Sequence, residues 1–171
     1  METTTKYEVT EIRWAEKTFI AKRARIAFDD LSVFFAESYG AIYDFIQKNG
    51  LHSKDMPCAI YYSIDEHKKE TDLAAAVAVE GEFPETNEFE KITIPSSRVV
   101  TTTHYGSYEN MHAAYRVLER YLADRGLIRK LIVEEYFSDP KKEVDPAKWK
   151  TNIYFVIKQH QVQPIRFDTI M

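Results

Sequence analysis

The sequence predicts an α+β fold: duplicated strand–helix–strand–strand (βαββ) units related by a pseudo-two-fold, with antiparallel sheets, two main helices and a central cleft. Three observations carry this expectation. Two amphipathic helical stretches stand isolated between strand-like runs, a glycine closes each of them, and the two regions repeat one another. The first copy reads AESYGAIYDFIQKNGL from Ala36 and the second HAAYRVLERYLADRGL from His112; Tyr39 falls over Tyr115 and Gly50 over Gly126, both at a shift of 76 (115 − 39, 126 − 50). With one residue of slippage, Ala59-Ile60-Tyr61-Tyr62-Ser63 falls over Glu134-Glu135-Tyr136-Phe137-Ser138. Matched closing glycines followed by aromatic strands favour duplication over chance similarity of two amphipathic helices.

Taken in order, Glu8 to Trp14 and Thr18 to Ile26 alternate β-branched and aromatic residues as strands do. Asp29 and Asp30 offer an N-cap, and Leu31, Phe34, Phe35, Ile42, Phe45 and Ile46 form a helical stripe that Gly50 closes. Cys58 to Tyr62 and Leu73 to Val79 are strand-like, parted by the charged loop from Asp65. Glu80 to Asn87, acidic and holding Gly81 and Pro84, is the linker at the chain's midpoint. Ile92 to Ile94 and Arg98 to His104 are again strands. Ser107 is the expected cap of the second helix, with Glu109 in its first turn and a stripe of Met111, Ala114, Tyr115, Leu118, Tyr121 and Leu122 ending at Gly126. Leu131 to Phe137 and Asn152 to Ile157 complete the strands. The expected organisation is a single domain over 1–171, with halves at about 6–80 and 90–158 and a tail over 159–171.

Composition narrows the function classes. Hydrophobic residues at 44% and charged residues at 29% are ordinary for a globular chain, and a net charge of −4 argues against a general nucleic-acid binder. The lone Cys58 excludes an intramolecular disulfide and speaks against a cysteine-based zinc site. The five histidines show no metal-ligand spacing, so neither metal nor cofactor is expected. No apolar run reaches membrane-spanning length and the start lacks a signal-peptide core, which makes the cytoplasm the expected compartment. Lys22-Arg23-Ala24-Arg25 reads as a solvated strand edge.

Strand alternation singles out a candidate site. Glu134 and Tyr136 share a face while Glu135 points the other way, and Asn152 shares a face with Tyr154. The first half has Ala59 where the second has Glu134, and Tyr61 where it has Tyr136. A carboxylate ringed by tyrosines suits an aromatic cation, since ring faces attract cations at roughly 0.5–2 kcal/mol each. From spacing alone, a rim glutamate paired with a lysine stays an alternative. Trp149 either covers the mouth of such a pocket or packs under its loop.

The run His104-Tyr105-Gly106-Ser107-Tyr108-Glu109, then Gly126-Leu127, then Glu134-Glu135-Tyr136-Phe137-Ser138-Asp139-Pro140, then Thr151-Asn152-Ile153-Tyr154, resembles the GyrI-like effector-binding domain family, which includes the ligand-binding domains of the BmrR and Rob regulators and free-standing proteins. The resemblance spans nearly the whole chain, with looser motifs in the first half. It implies that Glu134 is the acid of a ligand pocket, with Tyr136, Tyr154, Tyr105 and Tyr61 as aromatic walls; Trp149, if it covers the mouth, is a further candidate wall. Asn152 departs from the pattern, standing where many relatives have an acid, which removes one negative charge from the expected site. With no helix-turn-helix read in the sequence, the chain resembles the free-standing members. The function expected is binding of small hydrophobic, often cationic aromatic molecules, for multidrug or toxin sequestration or sensing. Two alternatives stand beside it: a hydrolase opening cyclopropane-type DNA-alkylating compounds with Glu134 as general base, and a protein-interaction module such as an inhibitor of DNA gyrase or a partner of a regulator. Neither a direct nucleic-acid nor a membrane partner is expected.

Overall fold

A computed structural model describes residues 7–159; the expected tail from His160 lies outside them. Ten elements follow one another: β1 (Thr10–Trp14), β2 (Lys17–Ala27), α1 (Leu31–Lys48), β3 (Ser53–Asp65), β4 (Glu70–Val79), β5 (Glu90–Ile94), β6 (Ser97–Tyr105), α2 (His112–Arg125), β7 (Arg129–Tyr136) and β8 (Lys150–Ile157). The strands form one antiparallel sheet in the order β1-β6-β8-β7-β3-β4-β2-β5. That order is its own mirror under exchange of the repeats, β1 for β5, β2 for β6, β3 for β7 and β4 for β8. The duplication legible in the sequence is therefore a pseudo-two-fold of the sheet, and its axis passes between β3 and β7, where Ala59 pairs with Glu134. The two small sheets expected of separate units are fused into one along this seam. Among the described residues, no helix is long and apolar enough to cross a membrane.

The sheet is rolled, and short links compel the roll. Only Ala15 and Glu16 join β1 to β2, yet those strands stand near opposite ends of the strand order; Pro95 and Ser96 join β5 to β6 in the same way. Two residues span too little to cross a flat eight-stranded sheet, so its ends curl toward each other. The inner face buries Trp14, Phe19, Ile60, Val99, Val133 and Val156 in one cluster drawn from both ends of the sheet. On the outer face, α2 packs Leu118 and Leu122 against Ile132, Ile153 and Phe155, while α1 packs Ile42 and Ile46 against Ile20 and Val77. Each such fully buried aliphatic side chain contributes about 1.5–3 kcal/mol.

The helix ends correct part of the sequence reading. Gly126 takes the left-handed conformation at φ 64°, and Leu127 N–H returns to Leu122 O; Gly50 does the same at φ 62°, with Leu51 N–H on Ile46 O. The N-termini differ from expectation. Asp30 and Ser107 make no side-chain capping bond to a helix N–H; a single 3-10 turn, Phe28–Asp30 or Tyr108–Asn110, leads into each helix instead. Glu109 accordingly lies in that turn and not in α2. The tightened turn supplies acceptors of its own, as when Asn110 N–H donates to Ser107 O.

Candidate functional site

Glu134 sits on β7 at the pseudo-two-fold seam, on the face covered by the two helices, and is 8% exposed. Its carboxylate is held by phenols. Tyr136, two residues along the same strand, donates its hydroxyl to Oε1 at 2.7 Å, and Tyr115 of α2 donates to Oε2. Burial pushes the Glu134 carboxyl above its ordinary value, while hydrogen bonds from Tyr115, Tyr136 and Tyr61 pull it back without cancelling that rise. The charge reaches outward as well: burial and then the nearby carboxylate raise the hydroxyl pKa values of Tyr115, Tyr136 and Tyr61, so these phenols stay protonated as donors. Among the described residues, none of the ion pairs formed includes Glu134.

The repeats diverge at this point. Tyr39, the counterpart of Tyr115, meets no carboxylate because its half carries Ala59, and it donates to the backbone carbonyl of Cys58 at 2.6 Å. Around Glu134 an aromatic ladder runs outward. Phe35 and Tyr108 meet the Tyr136 ring edge-on at 6.0 and 5.7 Å, and Trp149 lies 5.1 Å from Tyr108. Trp149 also donates Nε1–H to Glu143 O, which ties it to the β7–β8 loop while its face meets the ladder. Thr151, paired across the ladder with Tyr136, is fully buried, and its hydroxyl has no hydrogen-bond partner among the described residues.

Of the residues singled out from the sequence, Glu134, Tyr136 and Tyr61 come together, and Trp149 joins them through Tyr108. Tyr154 and Tyr105 do not. Strand alternation places both on the inner face, where Tyr154 donates to Oε1 of Glu135 at 2.7 Å and Tyr105 is 64% exposed. Glu135, 7% exposed, also accepts the Met56 N–H at 3.1 Å. Two consecutive glutamates are thus buried on opposite faces, each held by tyrosine. Sequence reasoning passes over Tyr115, Tyr108, Phe35 and Tyr39 as site residues. For Tyr115 a signal exists: a hydroxyl stands in the apolar stripe between Met111 and Leu118, at a position the repeat also fills with tyrosine. The stripe alone, however, reads as core.

Comparison with known proteins places the fold. The family model described as a GyrI-like small molecule binding domain matches residues 7–158. No curated protein matches the chain. Among solved structures, the C-terminal domain of EcmrR is 21% identical with a TM-score of 0.76, the match covering 90% of this chain and 98% of that one. In the EcmrR–DNA complex the match has 22% identity and a TM-score of 0.77, and this chain spans only 58% of the EcmrR chain. A hydrolase from Listeria innocua is 13% identical with a TM-score of 0.64, covering 88% of this chain and 92% of that one. SAV2435 bound to tetraphenylphosphonium is 14% identical with a TM-score of 0.60, covering 92% and 98%. At these identities the likeness is one of fold.

Proposed function

This chain belongs to the GyrI-like small molecule binding domain family, and on that premise we propose that its ligands are aromatic cations drawn to Glu134. The observation that carries the reading is a buried carboxylate that, among the described residues, pairs with no cation and is held by neutral phenols. Such a group keeps an unbalanced charge in a poorly solvated place, and an incoming cation supplies the missing partner. Tyr136, Tyr61, Tyr108 and Phe35 offer ring faces and edges for a flat or propeller-shaped aromatic ligand. The Thr151 hydroxyl, unpartnered among the described residues, gives a polar ligand atom or a water a place to bond.

Tetraphenylphosphonium is a fitting probe, because it is cationic, aromatic and without hydrogen-bond donors. Titration calorimetry with it and with a neutral aryl analogue of the same shape tests the reading. Glu134→Gln removes a charge contact of about 2–3 kcal/mol and weakens the cation about 30- to 150-fold, with the neutral analogue little changed. Equal losses for the two ligands would defeat the charge-matching argument.

One observation favours a second reading, hydrolysis. A carboxyl raised by burial, beside phenols that stay protonated, has the makings of a general base with adjacent proton donors. Multiple-turnover conversion of a strained electrophile, lost in Glu134→Gln, supports it; uptake of one equivalent without turnover removes it.

A further inference from the structure

The two-residue links that roll the sheet also align its halves. Ala15-Glu16 joins Trp14 to Lys17, and Pro95-Ser96 joins Ile94 to Ser97, so Trp14 corresponds to Ile94 and Lys17 to Ser97. Followed along the strands at the same offset, Thr101 stands where the first half has Ala21, and Thr103 where it has Arg23. Their ladder partners correspond too: Asn152 faces Thr103 as Ala74 faces Arg23.

In the first half a guanidinium fills this place on the inner face. Arg23 lies 3.7 Å from the centroid of the Tyr62 ring and donates twice to Asp72, at 3.1 and 3.0 Å. In the second half the shorter Thr103 leaves a half-open cavity of about 470 Å³. Thr10, Thr101, Thr103, Tyr105, Asn152 and Tyr154 line it, with the exposed Glu8 beside them, and no lysine or arginine is among the described lining residues.

The hydrogen bonds of the lining give the cavity a polarity. Thr101 donates its hydroxyl to Ile153 O at 2.8 Å, Thr103 to Asn152 Oδ1 at 2.7 Å, and Tyr154 to Glu135 Oε1 at 2.7 Å. These protons are committed to the protein, so the two threonines turn lone pairs to the cavity. An acceptor-rich lining with the Glu8 carboxylate at its edge selects a ligand that donates.

We propose that this cavity is a second small-molecule site, taking an organic cation with N–H donors, a guanidinium or primary ammonium. It lies on the face opposite Glu134 and does not rest on the reading of that residue.

The test is amide-resolved NMR titration of the full chain with n-butylguanidinium, n-butylammonium and n-butyltrimethylammonium. The first two saturate with shifts centred on residues 101–105 and 150–154, while the quaternary ion, which cannot donate, binds about tenfold more weakly or worse. Thr101→Val with Thr103→Val weakens the guanidinium by about tenfold or more, and Glu134→Gln leaves it within about twofold. Equal binding of the quaternary ion, shifts centred on residue 134, or no saturation up to about 20 mM would each overturn the proposal. The comparison of ions needs only the wild-type protein, so it decides the matter even if the double variant does not fold.

Discussion

Replacing Tyr154 by phenylalanine separates the two faces of the sheet. The ring packs against Trp14 at 4.7 Å, and phenylalanine keeps that contact. The hydroxyl donates to Glu135 Oε1 at 2.7 Å and accepts from Asn152 Nδ2 at 3.0 Å. Its removal leaves the buried Glu135 carboxylate with the Met56 N–H and strips one acceptor from Asn152. The charge-assisted bond contributes about 1.5–3 kcal/mol; the half-buried Asn152 amide recovers water and adds little. The expected loss is about 2–3 kcal/mol in urea denaturation with an unchanged m-value, or a Tm lowered by about 4–12 °C. Affinity for tetraphenylphosphonium stays within about twofold, because Glu134 lies across the sheet. A stability change below about 0.5 kcal/mol, or a fall in cation affinity with stability intact, would refute the assignment of Tyr154 to Glu135.

Three further outcomes rest on the same geometry. Burial holds the Glu134 carboxyl above its ordinary 4.5, so the folded chain keeps that proton where the unfolded chain has released it; the stability it contributes is complete below the unfolded pKa and is lost as pH rises through the folded one. Urea titrations from about pH 4 to about pH 8 then show wild type losing stability relative to Glu134→Gln as pH rises, and a difference running the other way contradicts the burial argument. The Cys58 thiol is raised by burial and then by Glu135, so alkylation by iodoacetamide tracks global unfolding, in contrast to the rapid labelling of an exposed thiol. His104, 2% exposed, bridges Tyr7 and Ser107 through its two ring nitrogens, at 2.8 and 2.9 Å. His104→Leu strands both partners and costs about 2–4 kcal/mol by thermal or urea denaturation, whereas a loss under about 0.5 kcal/mol would show water replacing the ring.

Features set by neighbours along the chain are legible in the sequence. Alternation on a strand settles that Glu134 and Tyr136 point together, that Glu135 opposes them, and that Tyr154 goes with Asn152. The repeat and the glycines at 50 and 126 settle two helices with left-handed ends, since a residue lacking Cβ takes φ near 60° at little cost. Which face each set meets is settled only when distant elements pack. Tyr115 belongs to an apolar stripe that reads as core, and it reaches Glu134 only because α2 lies over β7; Tyr154 parts from Glu134 because the helices cover the other side. The exchange of β1 and β5 between halves, and the roll that follows, come from pairings such as Thr10 with Thr101, far apart in the chain. Local periodicity carries no information on such pairings, because their free energy arises only when distant strands close on one another.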